Sequence, residues 1–124
     1  MKLSESREDY LEAIYEICKK EKVARVKSIA EQLGVSLASV NYAVGVLQEA
    51  GLTKHKRYGY IELTERGSRI GKSILEKHRL IRSFLMKVLN VEEEIADKDA
   101  CRMEHSLSNH TMEKIAFFMK SRKV

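Results

Sequence analysis

The 124-residue sequence has no proline and only two cysteines, Cys18 and Cys101. Two thiols cannot build a disulfide framework, and a reducing compartment leaves both available for packing or for a metal. No uncharged apolar stretch approaches the roughly 20 residues needed to cross a bilayer. Met1 to Glu5 leads into charged sequence rather than an apolar signal core. These absences predict a cytoplasmic protein with no membrane contact. Low-complexity segments and internal repeats are also lacking, and a chain of this length supports one compact domain or two small ones sharing a core.

What is present in excess is positive charge, and it is concentrated. The net charge is +5. Between Leu52 and Arg82 nine basic residues (Lys54, Lys56, Arg57, Arg66, Arg69, Lys72, Lys77, Arg79 and Arg82) face only Glu62, Glu65 and Glu76, so the rest of the chain is close to neutral. A basic block on a near-neutral chain suits a polyanion, although basic helix faces are often merely solvated.

Without proline, element boundaries must be read from glycines, caps and apolar periodicity. Tyr10, Leu11, Ile14, Tyr15, Ile17 and Cys18 recur at helical spacing, with Ser6 and Asp9 placed as a variant capping box. Val26 to Leu33 reads as a short second helix stopped by Gly34, and Ser36 opens a third that runs through Val40, Val44 and Leu47 to Gly51.

Ala30, Gly34 and Val40 have helix-turn-helix spacing: a small residue where two helices touch, a glycine for a left-handed turn, and a branched anchor for the second helix. Leu52 to Thr64 follows as two short strands around a basic, glycine-containing turn. A helix-turn-helix with a basic hairpin beside it is a winged-helix pattern, which predicts binding to double-stranded DNA. The recognition helix would present Ser36, Leu37, Ser39, Asn41 and Tyr42 but no arginine to grip guanine, and Lys54, Lys56 and Arg57 would contact phosphates. Against this stand plain alternatives: Ser36 as an N-cap only, Asn41 and Tyr42 as solvated surface, and the wing lysines as protection for an edge strand.

After Thr64, a residue type that caps helices, Ile70, Ile74, Leu75, Ile81, Leu85 and Leu89 predict a long fourth helix ending near Asn90. A fifth helix is expected from about Glu93 to Leu107 and a sixth after Ser108, with Met112, Ile115, Ala116 and Met119 as its stripe and Phe117 and Phe118 widening it. So much apolar surface on short helices suggests a symmetric dimer. The fold class expected is mainly α with a small β-hairpin wing: a winged helix-turn-helix over residues 1–64 and a helical metal-binding and dimerisation domain over residues 65–124.

Metal enters through Cys101, Glu104 and His105, whose i, i+3, i+4 spacing would set a thiolate, a carboxylate and an imidazole on one helical face. Asp9 and Glu12 offer carboxylates three apart on the first helix, and His78 lies midway along the long one. Taken singly, each has a structural reading as a core thiol, a surface charge, a helix-terminus carboxylate or a packed histidine. Neither a nucleophile–base pair nor a substrate pocket is legible, so an enzyme acting on a small-molecule substrate is not expected.

Several blocks then resemble one family across nearly the whole chain: Ser6 to Glu16, Ile29 to Ser36, Leu63 to Gly67, Lys77 to Leu80, and Ala100 to Ser108. The sequence is similar, in that order of blocks, to metal-dependent transcriptional repressors of the diphtheria toxin repressor and manganese transport regulator type. The resemblance implies a homodimer whose winged helices bind a palindromic operator when divalent metal bridges the first helix to the dimerisation helices, repressing metal-uptake genes. It implies Asp9, Glu12, His78, Cys101, Glu104 and His105 as ligands. Five match the manganese branch, whereas Cys101 matches the iron branch, so Mn2+ and Fe2+ are both retained, with Co2+, Zn2+ or Cd2+ as substitutes in vitro. Arg82 and Asp97 stand where the iron branch has ancillary-site ligands, which argues against that site here. Manganese-type relatives continue into another helix beyond the position of Val124, which implies a smaller dimer interface. A metal-independent winged-helix regulator is the alternative reading.

Overall fold

The computed structural model describes residues 3–56 and 59–122. The elements follow in the order α1 (Glu5–Glu21), β1 (Ala24–Arg25), α2 (Val26–Leu33), α3 (Leu37–Glu49), β2 (Thr53–His55), β3 (Tyr60–Leu63), α4 (Glu65–Lys87), α5 (Glu93–Met103) and α6 (Asn109–Arg122). The chain forms two compact units, Met1–Ser73 and Ile74–Val124, with the division falling inside α4.

In the first unit α1 starts two residues earlier than its apolar pattern suggested. Ser4, not Ser6, is the N-cap, its hydroxyl accepting from the Arg7 amide at 3.2 Å, and Glu5 and Glu8 add favourable negative charge to the first turn. Helix α2 ends where Gly34 adopts φ +67°, a left-handed conformation that costs a glycine little. Ser36 then caps α3 by accepting from the Ser39 amide at 3.1 Å. Helix α1 packs on both α2 and α3, and Leu11, Ile14, Ile29, Val40, Val44 and Leu47 are fully buried. Each such side chain contributes about 1.5–3 kcal/mol through burial.

The wing carries one strand more than the hairpin expected from the sequence. The sheet order is β1-β3-β2, all antiparallel, with Ala24 opposite Ile61 and His55 also opposite Ile61 on the other side. Buried Thr53 ties β2 to α3 through a hydroxyl donated to the Val44 carbonyl at 3.2 Å. Thr64 closes the sheet onto α4: its hydroxyl donates to the Gly51 carbonyl at 2.7 Å and accepts from the Gly67 amide at 3.0 Å. Gly67 has no side chain because the Leu52 carbonyl occupies the place of a Cβ.

The second unit packs the later part of α4 with α5 and α6 around Ile81, Leu85, Ala96, Ala100 and Met112. Asn90, at φ +59°, turns the chain after α4, and the Val91 amide returns to the Leu85 carbonyl at 2.9 Å. Helix α5 ends at Met103 instead of continuing to Leu107, because the Met103 carbonyl accepts from both Ser106 and Leu107 at 3.0 Å and tightens the chain into a turn. Glu104 is therefore the C-cap residue and His105 lies beyond the helix. The reading of Cys101, Glu104 and His105 as three positions on one continuous helical face is corrected accordingly. Ser108 caps α6 by accepting from the Thr111 amide at 3.1 Å.

Candidate metal centre and nucleic-acid surface

In the second unit Glu104 lies beside His78 and His105, and Cys101 lies beside His105. Glu104 lies at the centre of this group, its side chain wholly buried. Its Oε1 is 2.7 Å from His78 Nδ1, and its Oε2 is 3.9 Å from His105 Nε2. The His105 side chain is 3% exposed and that of His78 14%. Cys101 Sγ and a His105 ring nitrogen lie within 4.8 Å of one another. The turn after Met103 thus does what helical periodicity was expected to do, bringing the imidazole of His105 to the thiol of Cys101.

A buried carboxylate is costly unless its charge and its lone pairs are both met. Glu104 Oε2 is buried and has no hydrogen-bond partner among the described residues. An orphaned carboxylate oxygen with one imidazole 3.9 Å away, on a carboxylate whose other oxygen meets a second imidazole, fits a divalent cation, since such groups are acceptors that a cation satisfies together. The mixed thiolate, imidazole and carboxylate set suits a transition ion more than calcium or magnesium.

In the first unit Asp9 and Glu12 are carried by α1, three residues apart and partly buried. Their helix is held by the buried face of Tyr10, Leu11, Ala13 and Ile14, so neither carboxylate belongs to the apolar core.

The expected DNA-facing residues are accessible. Ser36, Leu37, Ser39, Asn41 and Tyr42 are all exposed, while Val40, Ala43, Val44 and Leu47 bury the opposite face of α3. Ser36 nevertheless fulfils its capping role, so its hydroxyl serves the helix first. Lys54 and Lys56 are exposed on the wing, and Lys56 also pairs with Glu62 at 3.5 Å, a surface contact that solvent screens heavily. Arg57 lies outside the described residues.

One basic residue beside α3 was missed. The Arg7 guanidinium sits 6.0 Å from the centre of the Tyr42 ring, and Ser6, Arg7 and Tyr10 line a groove with Ala38, Ser39 and Tyr42. Helix α3 has no lysine or arginine of its own, and Arg7 is a cation of α1 placed against it. Nothing in the local sequence around Arg7 marks it, because the neighbour it meets lies in another helix.

Residues 2–61 match the family described as iron dependent repressor, N-terminal DNA binding domain. Residues 64–124 match iron dependent repressor, metal binding and dimerisation domain. The chain is 34% identical over 119 residues to an uncharacterised HTH-type transcriptional regulator of Methanocaldococcus jannaschii, covering 95% of each. It is 35% identical over 111 residues to the HTH-type transcriptional regulator MntR of Lysinibacillus sphaericus, covering 90% of this chain and 79% of that one. The solved structure of the manganese regulator SloR superposes with a TM-score of 0.82 at 32% identity, over 92% of this chain and 53% of that chain. The present chain thus spans about half the length of that structure. With both halves of its sequence matched and its fold shared, the chain belongs to the iron-dependent repressor family of metal-dependent transcriptional regulators.

Proposed function

We propose that this chain is a cytoplasmic repressor of metal-uptake genes that binds a palindromic operator as a homodimer when Mn2+ or Fe2+ is bound. The observation that carries the reading is the buried Glu104 carboxylate, placed between His78 and His105 with one oxygen lacking a hydrogen-bond partner among the described residues. In this reading His78, Cys101, Glu104 and His105 hold one or two ions together with Asp9 and Glu12 of α1. Residues 1–64 bind DNA, and residues 65–124 bind metal and dimerise. Ser36, Leu37, Ser39, Asn41 and Tyr42 meet the groove, and Lys54, Lys56 and Arg57 meet phosphates.

A bound divalent ion supplies the positive charge that cancels the mutual repulsion of the carboxylates. The residues of the chain do the rest. Asp9 and Glu12 restrain α1, and α1 packs directly on α3, so restraint of the ligand-bearing helix restrains the recognition helix. Two half-sites about one helical turn apart demand that both recognition helices be in register, so reduced mobility raises affinity without any new contact to DNA.

Cys101 favours softer ions and the carboxylates favour manganese, which leaves both Mn2+ and Fe2+ as effectors and Co2+ or Zn2+ as probes. The test is fluorescence anisotropy with a palindromic duplex at constant salt, first in chelator and then with each metal, iron being handled anaerobically. Saturating metal should tighten binding roughly a hundredfold if only the DNA-competent state binds it. Equal binding in chelator and in metal would sink the switch and favour a metal-independent winged-helix regulator.

A further inference from the structure

His78 engages a carboxylate with each ring nitrogen. Nδ1 is 2.7 Å from Glu104 Oε1, and Nε2 is 2.9 Å from Asp97 Oδ1. The same Asp97 oxygen lies 3.4 Å from Arg82 Nε, and Arg82 Nη2 lies 2.8 Å from Glu93 Oε1. All of these residues belong to α4, α5 or the turn after α5. Arg82, which stands where the iron branch has an ancillary-site ligand, is forked between two carboxylates, one of which holds His78.

We propose that Asp97 is a positioning residue for the metal ligand His78, and that Arg82 keeps Asp97 in place. A neutral imidazole carries a single N–H, and the hydrogen bond made by one nitrogen decides which of the two is left as a donor to metal. Asp97, accepting from Nε2, retains the proton there. At 2.7 Å a proton is shared between Nδ1 and Glu104 Oε1; an ion bound there would take that proton's place, and with Nε2 still donating to Asp97, Nδ1 is the nitrogen whose lone pair would meet the ion. Arg82 Nε forms an ion pair with Asp97 while Nη2 donates to Glu93, so the guanidinium is anchored on both sides. Stability does not account for the network: Asp97 is 59% exposed and Glu93 72%, and ion pairs so open to water contribute little to folding. Orienting a ligand that is itself 14% exposed is a task that such a pair can perform.

The inference rests on the proposed metal site, and its test separates the two. The intact chain is loaded with cadmium, a diamagnetic and spin-active probe, and the imidazole nitrogens are followed by isotope-edited NMR. Coupling from cadmium to His78 Nδ1 is expected, with the proton on Nε2. Asp97→Ala should lower Cd2+ and Mn2+ affinity by about 10- to 100-fold and remove the Nε2–H signature, while the melting of the chelated protein stays as in the parent. Asp97→Asn, whose side-chain carbonyl still accepts from Nε2, should keep Nδ1 coordination and restore most of the affinity. Coupling to Nε2, or unchanged affinity in Asp97→Ala, overturns the role of Asp97 and leaves the metal site standing. No coupling to His78 in the parent chain overturns both.

Discussion

Arg7 of α1 lies over the ring of Tyr42 on α3, with 6.0 Å from guanidinium carbon to ring centre. The helix that carries Asp9 and Glu12 is thereby joined to the solvent-facing side of the recognition helix, where Tyr42 is 69% exposed. A cation–π contact at such an exposed site contributes about 0.5–1 kcal/mol. The guanidinium is also expected to meet a phosphate when a duplex is bound. Arg7→Ala should weaken duplex binding regardless of sequence and reduce the salt dependence of log K by about one phosphate's share. Titrations at several salt concentrations check this, and an unchanged slope would reduce Arg7 to a staple between two helices.

Gly67 lies under the Leu52 carbonyl, at the junction where α4 leaves the wing. The obstacle to a side chain there is backbone, which cannot rotate out of the way. Gly67→Ala should cost about 1–3 kcal/mol of stability, as overpacking does. Urea unfolding of the chelated protein measures it, and a neutral result would show that the junction can shift. Gly45, where an added Cβ meets nothing within 4 Å, is the internal control.

Large apolar side chains left exposed fall into two groups among the described residues: Val35, Leu37 and Tyr42 around the start of α3, and Leu89, Ile95, Phe117 and Phe118 in the second unit. Phe117 and Phe118 of α6 belong to the surface expected to be covered in a homodimer, with Phe118 held edge-on to Phe84 at 6.1 Å and Phe117 62% exposed. Phe117→Glu should shift the chain toward monomer in sedimentation at micromolar concentration and weaken binding to a palindrome more than to a half-site. If the mass is unchanged, α6 does not form the interface.

Cys18 is not one of the proposed metal ligands; it lies on α1 facing the wing, with its thiol 3.9 Å from the Ile61 carbonyl. Burial pushes its pKa up and the nearby Glu62 charge adds to this, so the neutral thiol is favoured in the fold. Because the folded value is raised, this contribution to stability is present below the ordinary thiol range and is lost as pH rises through the folded value. In a Cys101→Ser background, alkylation of Cys18 by iodoacetamide should be slower than that of a solvent-exposed thiol, with its midpoint at higher pH. Glu62→Gln should recover only part of the difference, since burial is the larger cause. A rate equal to that of an exposed thiol refutes this account.

Much of the fold was legible because it is written in short-range chemistry. Gly34 and Ser36 mark the turn between α2 and α3 through one left-handed residue and one cap, both acting within four residues of themselves. Thr64 starts α4 in the same way. The ligand types, too, stood in the sequence: no rearrangement turns Cys101 or His105 into something other than a soft donor and an imidazole.

The remainder depended on partners distant along the chain. Ala24 and Arg25 are a strand only because Ile61 and Tyr60 arrive to pair with them, and two residues hold no periodicity from which to predict it. Ser4 displaced Ser6 as the cap because an apolar repeat reports where a helix is buried, not where its first amide is satisfied. His105 meets Cys101 through the turn at Met103, where a doubled carbonyl acceptor ended the helix early. The hydrogen bond from His78 to Asp97, the fork of Arg82 and the placing of Arg7 over Tyr42 belong to this second group. Sequence specifies which chemical groups exist and how each segment begins and ends locally; packing alone decides which nitrogen faces which oxygen, because angstrom-scale distances between side chains are set only once the helices are in place.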